Sequence, residues 1–209
     1  KKTKLHNALL IIDGSQSIGA LPFSIKEIQP DALVCAGYKW LFGPYGCAYA
    51  YYSDYFDNGK PIEENWSNRL ESEDFSKLTN YQTKYKSFAN RYTVGQSGSF
   101  IYVKMQIAAL KEILKINPQE LQDYCNTISK DILQELNTIG FHSELPEHRS
   151  KHLFGIKIPE TINLKQLKAD LKAAKIHASF RGNYIRISCH LFNTQTHFEK
   201  LYITLKNNV

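Results

Sequence analysis

Lys39 lies in the stretch Gly37-Tyr38-Lys39-Trp40-Leu41-Phe42-Gly43-Pro44-Tyr45-Gly46, between two aromatic residues and directly after an apolar run. Aromatic neighbours strip water from an amine, and a desolvated lysine can supply the unprotonated amine that captures a carbonyl as a Schiff base. A surface lysine with its stem along apolar neighbours fits the same residues, so Lys39 alone decides nothing. Asp13 ends a second apolar run and precedes Gly14-Ser15-Gln16-Ser17. Open α/β sheets place ligand-binding groups at the carboxyl ends of strands, and a carboxylate there can keep a heteroaromatic ring nitrogen protonated. Capping of the turn or of a following helix is an equally good use of that aspartate.

Elements must hold these two residues. Ala8 to Ile12, Ala32 to Ala36 and Cys47 to Tyr52 are predicted strands, with Gly43-Pro44 and Gly46 as turn residues between the last two. The first is a continuous apolar run, as expected of a strand buried on both faces of a parallel sheet. Ile62 to Tyr92 is polar, aromatic and irregular, which predicts a long loop region. From Phe100 to Leu114 apolar residues recur at helical spacing (Ile101, Met105, Ala108, Ala109, Ile113). Pro118 opens a second helix carrying Leu121, Ile128, Ile132 and Leu136 and ending near Gly140. An alternating strand (Leu153, Gly155, Lys157), a helix near Leu164 to Ala174, a strand pair around Gly182 and a helix from about Thr194 to Leu205 make a βαββα ending. That order has the makings of a separate small α+β domain.

With 43% hydrophobic residues in 209, the chain can bury a real core in one domain or one and a fraction. No apolar run approaches the roughly 20 residues that span a membrane. The basic opening has only a short apolar stretch that runs into Asp13, unlike a signal peptide, so a soluble, cytoplasmic protein is expected. Cys35, Cys47, Cys125 and Cys189 lack CxxC or zinc-ligand spacing; reduced, mostly buried thiols and no metal site are expected. The net charge of +6 comes from dispersed lysines without an aromatic-basic motif. This argues for a solvated basic surface, and for a basic site for anionic ligands, rather than for nucleic acid.

Ile11-Ile-Asp-Gly-Ser-Gln-Ser-Ile-Gly-Ala20 followed by Asp31-Ala-Leu-Val-Cys-Ala-Gly-Tyr-Lys-Trp-Leu-Phe-Gly-Pro-Tyr-Gly46 resembles the core of the class V aminotransferase family. These pyridoxal-phosphate (PLP) enzymes include cysteine desulfurases, kynureninase and isopenicillin N epimerase. Asn65-Trp-Ser-Asn-Arg69, Arg91-Tyr-Thr-Val-Gly95 and Ile185-Arg-Ile-Ser-Cys-His-Leu-Phe-Asn193 extend the match in order over nearly the whole chain. The resemblance implies an α/β protein: residues 1–115 as the C-terminal portion of a fold-type-I large domain, a mostly parallel sheet with helices, and residues 116–209 as a small α+β C-terminal domain. It implies that Lys39 forms the Schiff base with the cofactor and then shuttles protons, and that Asp13 pairs with the ring nitrogen. Gln16 falls near the cofactor's phenolic oxygen, and Tyr38 stands where other members often have histidine. Trp66 and the Gly95-Gln96-Ser97 turn correspond to elements that reach the cofactor phosphate, the turn often from a partner subunit. Gln96 and Ser97 replace the usual Gly-Thr pair. Arg186 matches the C-terminal arginine that binds a substrate α-carboxylate, for which its fork of donors is suited; Arg181 is a second substrate-side candidate. His190 and Asn193 are assigned to the turn after the strand.

An amino-acid substrate and a homodimer follow from the same resemblance, with no nucleic-acid or membrane partner. Desulfurases carry a mobile cysteine ahead of the C-terminal arginine. Lys151 to Tyr184 holds none, and Cys189 follows Arg186, so desulfuration is disfavoured. Transamination is the first reading; kynureninase-like lyase chemistry and epimerisation stay open. The family's phosphate-binding turn and ring-stacking residue belong to the N-terminal half, so the 209-residue chain by itself is expected to be inactive. A non-catalytic interaction domain is the reading from another class.

Overall fold

The five apolar residues Ala32-Leu-Val-Cys-Ala36 form the central strand of a small sheet in a computed structural model that describes residues 2–77 and 79–209. The chain divides into two units, Lys1–Lys115 and Ile116–Val209.

In the first unit, helix α1 (Lys2–Leu5) leads into strand β1 (Ile11–Asp13). A short helix α2 (Ile25–Ile28) follows, its N-terminus capped by Ser24, whose hydroxyl accepts from the Glu27 N–H at 3.3 Å. Strand β2 (Ala32–Ala36) then pairs parallel with β1, with Ile11 opposite Ala32 and Asp13 opposite Val34. Strand β3 (Ala48–Tyr52) returns antiparallel on the other side of β2. The sheet is therefore mixed. β1 is shorter than its apolar run and sits at the edge, so Ile11 is 62% exposed rather than covered on both faces.

Between β3 and the helix α3 (Phe100–Ile113) runs the long irregular stretch, with single 3-10 turns at Trp66–Asn68, Phe75–Lys77 and Phe88–Tyr92. Helix α3 forms where the spacing predicts it but turns a different face inward. Gln106 and Ile113 are its buried residues, while Ile101 is 72% exposed. A helix apolar on most sides does not announce its inner face by periodicity.

The second unit opens with α4 (Pro118–Thr138), whose first turn is set by Pro118 and by Asn117, which accepts from the Gln119 N–H at 2.9 Å. Its buried residues Leu121, Cys125, Ile128, Ile132 and Leu136 recur at helical spacing. Strands β4 (His142–Ser143) and β5 (Leu153–Lys157), helix α5 (Leu164–Ala173), strands β6 (Ser179–Arg181) and β7 (Tyr184–Ser188), and helix α6 (Gln195–Lys206) complete it. The sheet order is β4-β5-β7-β6, antiparallel throughout. Phe154 and Ile156 on β5 and Ile185 and Ile187 on β7 are buried, as are Leu167 and Leu171 of α5 and Phe198, Leu201 and Leu205 of α6. Strand period two and helix period 3.6 thus put one face of each element into a common core. All four cysteines are free and three are buried. Among the described residues no helix is long and apolar enough to cross a membrane.

Candidate active site

Parallel pairing places the ends of β1 and β2 side by side. Asp13 is the last residue of β1 and faces Val34, just before β2 ends at Ala36; Lys39 follows on the loop beyond. The turn after β1 is tied to the same strand end, since the Gly14 N–H donates to the Val34 carbonyl at 2.7 Å and the Ala36 N–H donates to the Ser15 hydroxyl at 3.0 Å. The Ser15 N–H donates to Asp13 Oδ1 at 2.9 Å. That N–H, then the Ser15 side chain, with the positive charge of Lys39 adding to them, hold the Asp13 carboxyl below the ordinary carboxylate range against partial desolvation. Buried Cys35 senses the same two charges: burial and Asp13 push its thiol up, and Lys39 opposes them.

The Lys39 loop is pinched at its base. The Gly37 N–H donates to the Cys47 carbonyl at 2.9 Å, and the Gly43 N–H donates to the Gly37 carbonyl at 2.8 Å. At the tip the Phe42 N–H donates to the Lys39 carbonyl at 3.1 Å, with Phe42 at a φ of 55°. Tyr38 stacks on Tyr45 with ring centroids 4.3 Å apart, and Lys39 Nζ lies 5.8 Å from the Tyr38 ring centroid. Trp40 Nε1 donates to Gln16 Oε1 at 3.1 Å. Gly19, at a φ of 93°, lets the turn after β1 close on this loop, because a Cβ there would stand 2.6 Å from the Trp40 carbonyl oxygen. Asp13, Gln16, Tyr38 and Lys39 are thereby brought into one neighbourhood.

Trp66, on its 3-10 turn, meets Phe75 with centroids 5.6 Å apart. Gln96 and Ser97 are exposed in the turn before α3, and Gln96 has a φ of 58°. Among the described residues no hydrogen bond or ring contact joins these three to Asp13 or Lys39. Sequence reasoning missed the residue that links their two segments. Asn68, fully buried, donates through Nδ2 to the Arg91 carbonyl at 2.9 Å and the Thr93 carbonyl at 2.5 Å, and accepts from the Asn65 N–H at 2.8 Å. Both segments stand out by their motifs, but nothing local in either says that one amide bridges them. Gln106 was missed for the same reason.

In the second unit, Ile185 and Ile187 turn into the core, so Arg186 stands on the opposite face of β7, half-buried, opposite Gly155 of β5 and Ser179 of β6. Arg181 is exposed opposite Tyr184, and its Nη1 donates to the Phe180 carbonyl at 2.9 Å. His190 and Asn193 close the turn after β7 reciprocally: the His190 N–H donates to Asn193 Oδ1 at 3.0 Å, and the Asn193 N–H donates to the His190 carbonyl at 2.9 Å.

An anionic carboxyl and a primary amine at adjacent parallel strand ends are the donor set for a cationic heteroaromatic aldehyde, so the residues present fit PLP. The chain is similar to an uncharacterised aminotransferase of Bacillus subtilis (strain 168), YcbU, at 27% identity over 90% of this chain and 48% of that protein. It is similar to an uncharacterised aminotransferase of Schizosaccharomyces pombe, C777.03c, at 25% identity over 100% of this chain and 52% of that protein. It thus spans about half the length of these curated relatives. Among solved structures, the apo cysteine desulfurase of Thermococcus onnurineus NA1 superposes with a TM-score of 0.82 at 16% identity, over 98% of this chain and 53% of that one. That likeness shows the fold, which is the fold-type-I α/β architecture. The family model for aminotransferase class-V matches residues 1–201, and the chain belongs to that family.

Proposed function

We propose that this chain contributes the Schiff-base lysine, Lys39, and the ring-nitrogen partner, Asp13, to a PLP-dependent enzyme that transfers the amino group of an amino acid. The observation that carries the reading is Asp13, held anionic by Ser15 beside the charge of Lys39, at the carboxyl ends of two paired parallel strands. When bound, PLP supplies the electron sink for the pair of electrons left as an amino acid loses its α-proton. Asp13 keeps the ring-nitrogen proton in place by charge. The Lys39 amine would hold the cofactor through its aldehyde and, when displaced by the substrate amine, would take up and return the substrate's α-proton. Tyr38, whose ring centroid lies 5.8 Å from Lys39 Nζ, would flank that amine. Arg186 receives the substrate α-carboxylate by a two-pronged bond, with Arg181 beside it on the strand pair. Residues 1–115 serve as the C-terminal portion of the cofactor-binding domain and 116–209 as the small domain, in a homodimer whose Trp66 and Gln96-Ser97 segments serve the phosphate. Transamination is preferred because the two relatives matched over 90% and 100% of this chain are named as aminotransferases, whereas those named as a lyase or as desulfhydrase-like match over only 22 to 25% of it. A desulfurase-type nucleophile is not offered by Cys189, which is 2% exposed, with its thiol pushed up by its contact with Cys125 and by burial.

The test is a screen of amino acids with a 2-oxo acid acceptor, using the full-length protein with PLP. Equal amounts of new keto acid and new amino acid are expected, with the rate falling at least about a hundredfold in Lys39→Ala, the usual scale for loss of a proton-transferring group. Release of alanine with substrate cleavage, or racemised substrate without keto acid, would replace transamination by lyase or epimerase chemistry.

A further inference from the structure

Helix α3 turns one polar side chain into the first unit. Gln106 is 3% exposed, on a helix whose neighbouring Ile101, Val103, Met105 and Ile107 face outward. Burying an amide costs free energy unless it is hydrogen-bonded, so a buried glutamine among exposed apolar residues needs a cause. Its surroundings supply one. Nε2 donates to the Leu41 carbonyl at 3.3 Å, two residues beyond Lys39. Oε1 receives no hydrogen bond among the described residues. It instead fills the space over two glycines: a Cβ on Gly37 would come within 2.7 Å of Oε1, and a Cβ on Gly43 would collide with the carboxamide itself. Gly37 and Gly43 are the residues whose mutual hydrogen bond closes the Lys39 loop.

We propose that Gln106 is a positioning residue for Lys39. Its carboxamide wedges against the glycine base of the loop and holds the Leu41 carbonyl, which fixes where the Lys39 backbone leaves β2 and where its amine points. The proposal deepens the functional reading above and rests on it for the role of the amine. It adds that the glycines at 37 and 43 are required by a side chain on a distant helix, 65 positions away from Leu41 in sequence.

The test compares Gln106→Met, which fills the same unbranched space without a donor, with Gln106→Glu. Burial raises the pKa of a carboxyl, so the glutamate would be protonated at neutral pH and its hydroxyl could still donate to Leu41. Two readouts apply to the full-length protein with PLP. In Gln106→Met, amide hydrogen exchange at Phe42 and Gly43 should quicken about tenfold, the scale of one lost hydrogen bond, while exchange in residues 116–209 stays unchanged. Capture of Lys39 by PLP under cyanoborohydride, followed as the modified peptide, should slow about tenfold with a displaced pH profile, and Gln106→Glu should restore both at neutral pH but lose the rescue as its acid ionises. If Gln106→Met leaves exchange at Phe42 and Gly43 and the capture profile of Lys39 as in the parent, the proposal is overturned. If the parent protein is not captured at Lys39 at all, the functional reading falls while the exchange measurement still decides the role of Gln106. Should Gln106→Met fail to fold, Gln106→Glu compared below and above its ionisation decides the same question within one folded protein.

Discussion

Ser15 links the two halves of the candidate site at the level of single atoms. Its N–H and side chain hold the Asp13 carboxyl low, and its hydroxyl receives the Ala36 N–H. In Ser15→Ala the backbone donor stays and the hydroxyl goes, so the Asp13 carboxyl should rise part of the way toward the ordinary value, which a carbon-detected NMR titration would record. An unmoved titration would mean that the Ser15 hydroxyl does not hold the carboxyl low. The sign for stability follows: a carboxyl lower in the folded than in the unfolded chain stabilises above its unfolded pKa, and that contribution fades as pH falls through the folded one. The placement of Asp13 and Lys39 was legible in the sequence, since Asp13 closes one apolar run and Lys39 lies three residues beyond the next; their roles are the proposal made above. The placement of Asn68 and Gln106 was not. A buried amide is specified by carbonyls that are 23 to 65 positions distant, and no local pattern encodes such partners.

Among the elements, the irregular stretch after β3 depends on Asn68. Asn68→Ala would orphan the Arg91 carbonyl and the Asn65 N–H and would leave the Thr93 carbonyl with Asn65 Nδ2 as its donor. A loss of about 2 to 3 kcal/mol is expected at that scale for buried groups left without partners. Protease cleavage between residues 60 and 95 should appear first; equal resistance in the variant and parent would contradict the role. Helix α5 offers a local counterpart. Asn163 Oδ1 accepts from the Lys165 and Gln166 N–H groups at 3.0 and 3.2 Å, so Asn163→Ala should cost about 1 kcal/mol in denaturant unfolding. α4 and β7 were readable because their periods match one buried face, and β2 because it is a continuous apolar run bounded by Asp31 and Gly37. The exposure of β1 was not, because being an edge strand depends on which neighbours pair with it. The inner face of α3 was not, because exposed and buried positions there are apolar alike.

For the molecule as a whole, each unit carries its own consequence. In the second, burial and the adjacent His152 hold His190 below the ordinary histidine range. The unfolded chain then takes up a proton that the folded ring lacks, so stability falls as pH drops below about 6.5. His190→Gln, which keeps the backbone bonds of the turn with Asn193, should flatten that slope in thermal unfolding followed between neutral and mildly acid pH; an identical slope would assign the loss elsewhere. The family was within reach of the sequence, since the order of the motifs carries it. The reaction was not, because the same starting chemistry serves transamination, cleavage and epimerisation. All of the proposed chemistry depends on Lys39 as the amine that takes the cofactor. Borohydride reduction of the full-length protein with PLP, followed by peptide mass spectrometry, examines that amine itself. The predicted result is one reduced pyridoxyl adduct, on Lys39, that disappears in Lys39→Ala; an adduct on another lysine that survives in Lys39→Ala would contradict it.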